Sequence, residues 1–253
     1  MKKILFILSF LIHLSFAATS AQIEQYLLVS HAEEELLTLE AQFSAMQNSF
    51  SKETNSSESD TYDMQMLSLR FKDYLQKHLS EDEMNEILQN YKNIVLLQFV
   101  SASSDIQRDD ENKTITYLEK LKNTPNSEIR IKLVEKITHY LYSKEAMVIM
   151  FDELMKPLLQ NGIGGNKINK ELLESTKEDY LKSMLKAANE ETLFASKDFT
   201  IEELETLLKI AKTSASEHES KAVFGGMAYA LKEFFMSLAS RYDVNKHQHK
   251  HTK

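Results

Sequence analysis

Cysteine is absent from all 253 residues. That excludes a disulfide framework, a thiol nucleophile and a lipid-modified cysteine near the start of the chain. A chain without cross-links must hold itself together by its core, and 253 residues with 42% hydrophobic content are enough to build one. Glycine and proline are scarce, 5 and 2 residues, and no long alternating Val/Ile/Thr stretch occurs. These are the statistics of helices, so the expected fold class is all-α. An excess of positive charge is missing as well. The formal net charge is -8, a balance that repels nucleic acid and anionic membrane and sets both aside as general partners.

What is present begins with an address. Met1-Lys2-Lys3 precedes the apolar run Ile4 to Phe16, the basic start and hydrophobic segment of a secretory signal peptide. The run is shorter than the roughly 18 to 20 residues of a spanning helix, so it reads as a cleaved leader rather than a retained transmembrane anchor. Ser15-Phe16-Ala17 and Thr19-Ser20-Ala21 both offer small residues at the two positions a signal peptidase reads, giving mature starts at Ala18 or Gln22. The second is preferred, which assigns residues 1–21 to the leader. Loss of Lys2 and Lys3 with it lowers the net charge by two, to -10. The expected location is the bacterial periplasm.

The chain is organised around Leu79-Ser80-Glu81-Asp82-Glu83-Met84, which recurs 120 residues later as Phe199-Thr200-Ile201-Glu202-Glu203-Leu204. Ser80 and Thr200 stand where a helix N-cap accepts from the third helical N–H, and Glu83 and Glu203 stand where a carboxylate reaches back to the cap's own N–H. The flanking pairs Leu79/Met84 and Phe199/Leu204 fit a hydrophobic staple. The apolar face after each cap repeats too: Met84, Ile87, Leu88 and Tyr91 against Leu204, Leu207, Leu208 and Ala211. Earlier segments match at a separation of 114, Tyr26-Leu27 against Tyr140-Leu141. Two related helical-bundle units in tandem are therefore expected, 22–122 and 126–242, divided near Pro125 and followed by a disordered His/Lys tail, 243–253.

Within this frame Ile23, Tyr26 and Leu27 start a short helix, and Ser30-His31-Ala32-Glu33 offers a further capping box. Ser51 to Thr61 is too polar to pack and reads as a mobile loop. Ile129, Leu133, Ile137, Tyr140 and Leu141 mark the first helix of the second unit, and the last helix is expected from Ala222 to about Tyr242. Gly225-Gly226 inside it predicts a close backbone approach, since each glycine costs about 1 kcal/mol relative to alanine.

The helix pair, polar gap and aromatic-rich approach to a Phe/Leu-Thr/Ser-x-x-Glu-Leu/Met helix start resemble the exported bacterial proteins grouped as domain of unknown function family 2059. Asp198 to Leu208 carries the likeness best and His78 to Leu88 less well. The aromatic pair and Ser-Pro-x-Gly segment typical of the family are missing: Ala211-Lys212-Thr213-Ser214-Ala215 keeps only the serine. The resemblance implies an exported helical fold and brings no catalytic residues.

Candidate chemistry is sparse. His247-x-His249-x-His251 places three imidazoles on one side of an extended chain, a donor set for Zn, Ni or Cu, with a solvated tail as the plainer reading. His31 and Glu35, one turn apart, fit a surface pair. Gly162-Ile163-Gly164-Gly165 lacks the Lys-Ser/Thr of a phosphate loop, Asp105 to Asn112 lacks the glycine and closing glutamate of a calcium loop, and no Gly-x-Ser-x-Gly occurs. No catalytic or cofactor-binding residue is assigned, and the reading leans away from an enzyme. The expected function is a non-enzymatic binding module for a protein or other envelope component, using a groove between the units for which Tyr91, Phe99, Met150, Phe151 and Phe235 are candidates, with core packing as the plainer use of each. Metal handling by the tail is the alternative.

Overall fold

The computed structural model describes residues 16–50, 59–106, 111–125, 127–161 and 169–248. The fold is all-α. Its elements are α1 (Ser20–Ser30), α2 (Ala32–Phe50), α3 (Ser59–His78), α4 (Glu81–Asn90), α5 (Ile94–Ile106) and α6 (Glu111–Lys122) in the N-terminal half. The C-terminal half holds α7 (Ser127–Leu141), α8 (Lys144–Met150), a π turn (Phe151–Met155), α9 (Lys156–Asn161), α10 (Lys170–Ala195), α11 (Ile201–Ala211) and α12 (Ser214–Gln248). Among the described residues the only strand-like pairing is one antiparallel bridge, Ala17 to Ser80. No helix among them is long and apolar enough to cross a membrane.

Both corners around the repeated motif are made alike. The Ser80 hydroxyl accepts from the Glu83 N–H at 3.2 Å while Glu83 accepts from the Ser80 N–H at 2.8 Å. Thr200 and Glu203 do the same at 3.2 and 2.7 Å. Each cap satisfies two groups that a helix start leaves unpaired, and the stapling residues Leu79, Met84, Phe199 and Leu204 are all buried.

Packing across the halves follows from where each chain segment can bury its apolar stripe. α1 lies on α3 and α4, and α7 lies on α10 and α11. α12 then runs along α3 and touches α4, while α5 packs on α10 and α11. One core results. Leu67, Phe71 and Leu75 of α3 meet Met227 and Leu231 of α12, and Phe99 of α5 stands edge-on to Phe199, with ring centroids 6.5 Å apart.

Gly225 and Gly226 make the α3–α12 crossing possible. A Cβ at Gly226 would lie 2.8 Å from Cδ2 of the fully buried Phe71 ring, and one at Gly225 would collide with the Tyr74 hydroxyl. The close approach expected there is that of α3.

Several expected boundaries shift. The Ser30 hydroxyl accepts from the Ala32 N–H at the start of α2, at 3.3 Å, but the reciprocal box expected with Glu33 does not form. Ser30 is the last residue of α1, and His31 turns the corner in the left-handed conformation with φ 58°. The α7 stripe is rotated: Val134, Ile137 and Thr138 are buried, whereas Ile129 and Tyr140 are exposed. On the same helix Arg130 reaches inward to donate to the carbonyls of Ser196 and Phe199 at the α10–α11 corner. α12 starts at Ser214, eight residues before Ala222, because the Thr213 hydroxyl accepts from the Ser216 N–H at 3.2 Å. It runs to Gln248, so the backbone of 243–248 is helical. α3 likewise takes up the last residues of the expected polar loop, of which 51–58 lie outside the described residues, as do Gly162 to Gly165.

The π turn has a sequence cause. Pro157 lacks an N–H and its ring crowds the carbonyl four residues earlier, so the helix widens just before it and the Lys156 N–H bonds to the Phe151 carbonyl.

Replacing Gly226→Ala is expected to destabilise the protein by about 1–2 kcal/mol despite the gain in helix propensity, because the Phe71 ring has nowhere to go. Gly225→Ala should be closer to neutral, since the Tyr74 hydroxyl is the far end of a half-buried side chain. Urea unfolding of the two variants checks the order.

Candidate functional site

Two cavities and one buried cluster stand out. The first cavity, of about 550 Å³, is an open groove between α2 and α3 lined by Glu33, Leu37, Met64, Gln65, Ser68, Leu69 and Lys72. Lys72 crosses it to pair with Glu24 and Glu33 at 3.1 and 3.6 Å. The second, of about 380 Å³, is more enclosed and lies where the halves meet, lined by Tyr74 of α3, Val148 and Ile149 of α8, Asp152 and Glu153 of the π turn, and Gly225 and Tyr229 of α12. A groove between the units was expected, but the five residues proposed for it, Tyr91, Phe99, Met150, Phe151 and Phe235, are buried core.

The junction cleft combines aliphatic, aromatic and acidic surface. The Tyr74 ring stacks on His78 at 3.7 Å and 11°, and its centroid is 5.7 Å from that of Tyr229. Burial and then the Glu153 charge raise the Tyr74 hydroxyl above its ordinary range. The π turn sets Asp152 and Glu153 side by side at the rim. Lys177 holds both Asp152 oxygens, at 2.8 and 3.0 Å, and Lys232 stands 3.7 Å from Glu153.

The buried cluster is at the start of α12. Glu219 Oε1 accepts from the Tyr26 hydroxyl at 2.9 Å and from the Tyr91 hydroxyl at 2.5 Å, and the two rings meet edge-on at 5.8 Å. Burial pushes the Glu219 carboxyl up to about 7, against the two hydroxyls, which favour its charged form. Both tyrosines are raised well above their usual value by burial and by Glu219. The neighbours of Glu219 continue the latch. His218 Nδ1 lies 3.0 Å from the capping carboxylate Glu83, and the Ser220 hydroxyl donates to the Leu141 carbonyl at 2.8 Å. Beside it, half-buried Glu35 is also pushed up to about 7 by burial, with Glu191 adding repulsion. These contacts fasten α12 to α1, α4 and α7.

The sequence candidates fare unevenly. Ser80, Glu83, Thr200 and Glu203 are the caps described above, and Glu83 has the further contact with His218. His31 pairs with Glu34 at 3.2 Å rather than with Glu35, which turns inward. His249 and His251 lie outside the described residues, and nothing is described of the His247 side chain. Among the described residues no three His, Asp or Glu side chains converge as a metal ion would need. Glu219 was missed, although it sits four residues after Ala215 and three before Ala222, on the apolar stripe of α12. No family model, curated protein or solved structure matches the chain.

Because the folded-state values of Glu219 and Glu35 lie above the ordinary carboxylate range, their contribution to stability is complete below about pH 4.5 and is lost as pH rises through about 7. Glu219→Gln is expected to remove its share, about 1–3 kcal/mol, of the difference in unfolding free energy between pH 5 and pH 8. Urea unfolding at the two pH values reads this, and equal differences in wild type and variant would contradict it.

Proposed function

We propose that the protein is an exported, non-enzymatic helical module of the bacterial envelope, built from two related units in tandem, that binds a protein partner in the cleft where they join. The tandem reading draws on the order of elements. A first helix, a short break, a second helical segment, a long helix, a capping box, a short helix and a closing helix occur in both halves, as α1 to α5 and as α7 to α12. Contacts run in parallel as well, α1 on α3 and α4 like α7 on α10 and α11, and the closing helices are exchanged, α12 onto α3 and α5 onto α10. Membership of domain of unknown function family 2059 belongs to the same proposal and rests on the capping motif.

The observation that carries the binding role is the junction cleft itself. It falls within the size range of ligand sites and lies between units, where such sites favour forming. Its lining of Tyr74, Tyr229, Val148 and Ile149 suits a protein segment that presents apolar side chains, while Asp152 and Glu153 at the rim are paired with Lys177 and Lys232. Partners with anionic surfaces are disfavoured.

A photo-crosslinking amino acid in place of Tyr229, on the cleft, is expected to trap a defined protein in intact cells, whereas the same group in place of exposed Lys209 on α11 should not. Ile149→Asp should abolish the Tyr229 adduct. Equal labelling from both positions would contradict a cleft-specific partner.

A further inference from the structure

Residues 16–22 hold both candidate leader boundaries, and in the structure they also begin the fold. Ala18 is only 1% exposed, and its N–H donates to the Leu79 carbonyl, just past α3, at 2.9 Å. Thr19 caps α1. Its hydroxyl accepts from the Gln22 N–H at 3.2 Å, and the Gln22 side chain accepts from the Thr19 N–H at 2.8 Å, a complete capping box. Gln22 Nε2 continues to Asn85 Oδ1 at 2.8 Å and to the Glu81 carbonyl at 3.3 Å, tying α1 to α4. Phe16 differs: its ring is 68% exposed, and its carbonyl accepts from the Glu81 N–H at 2.7 Å.

The two cuts therefore have unequal consequences. A cut after Ala21 removes the buried Ala18 and the Thr19 cap. It also leaves a charged α-ammonium on Gln22 in the first turn of α1, where the helix dipole is already positive. A cut after Ala17 keeps the cap, Ala18 and every Gln22 bond, and discards the exposed Phe16 ring. Its new α-ammonium, on Ala18, faces the Leu79 carbonyl at the C-terminal end of α3, where the dipole favours a cation. The Glu81 N–H alone loses a partner, and water can replace it.

We infer that the leader ends at Ala17, with Ser15 and Ala17 as the small residues the peptidase reads, and that the mature N-terminus is Ala18 seated on Leu79. Hydrolysis of the Ala17–Ala18 peptide bond by water leaves a carboxylate on Ala17 and an ammonium on Ala18. The inference rests on the export reading above, and one experiment separates the two. The full chain with its own leader is expressed in a bacterium, and the N-terminus of the accumulated protein is sequenced, alongside Ala17→Leu and Ala21→Leu. The expected product begins at Ala18, is unchanged by Ala21→Leu, and is replaced by uncut precursor in Ala17→Leu. A product beginning at Gln22 or at any other internal residue overturns the site but leaves export standing. An uncut wild-type chain overturns both.

Discussion

A single carboxylate, Glu219, held between the hydroxyls of Tyr26 and Tyr91, fixes where α12 enters the molecule. Burying a polar group is expensive unless hydrogen bonds meet it, and here both donors converge on one oxygen, so the helix start has only one comfortable position. Once α12 is pinned there, His218 reaches the α4 cap and Ser220 reaches the end of α7. The rest of α12 is then laid along α3, at the one place where two glycines let it approach. The cleft at the junction is a by-product of that geometry, framed by α3 and α12 and closed on one side by the π turn that Pro157 imposes.

The capping boxes serve two purposes at once. Locally they end one helix and begin the next. Globally, Glu83 spends its second oxygen on His218, which couples the corner of the N-terminal half to the longest helix of the other half. The Ser80 N–H and hydroxyl hold Glu83 below the ordinary carboxylate range, whereas burial holds Glu219 above it. The two acids are therefore shifted in opposite directions around the same helix start.

Much of this was legible in the residues. Helical class followed from scarce glycine and proline, both corners followed from a four-residue pattern, and Gly225-Gly226 announced a close crossing because nothing else justifies two glycines inside a helix. What escaped reading was decided by tertiary contacts. The α7 stripe was legible at Leu133, Ile137 and Leu141 but not at Ile129 and Tyr140, and periodicity, which treats Arg130 as a surface residue, cannot foresee two backbone carbonyls waiting for it at another corner. Ser30 looked like half of a capping box with Glu33, but His31 adopts a left-handed turn that ends α1 first. Thr19-Ser20-Ala21-Gln22 fits a capping box and a peptidase site equally well in sequence, and in the structure Thr19 and Gln22 form the box. The candidate cleft was legible as a location, between halves, and not as a residue set, because large apolar side chains on a stripe are indistinguishable from core until their neighbours are known.

The two halves are interdependent, since α3 finds its partner in α12 and α10 finds one in α5. The most direct measurement is the thermal unfolding, by circular dichroism, of a fragment ending at Thr124, alone and mixed with the complementary fragment from Pro125. The fragment alone is predicted to lack a cooperative transition and the mixture to regain one. A sharp, concentration-independent transition from the isolated N-terminal fragment would contradict it.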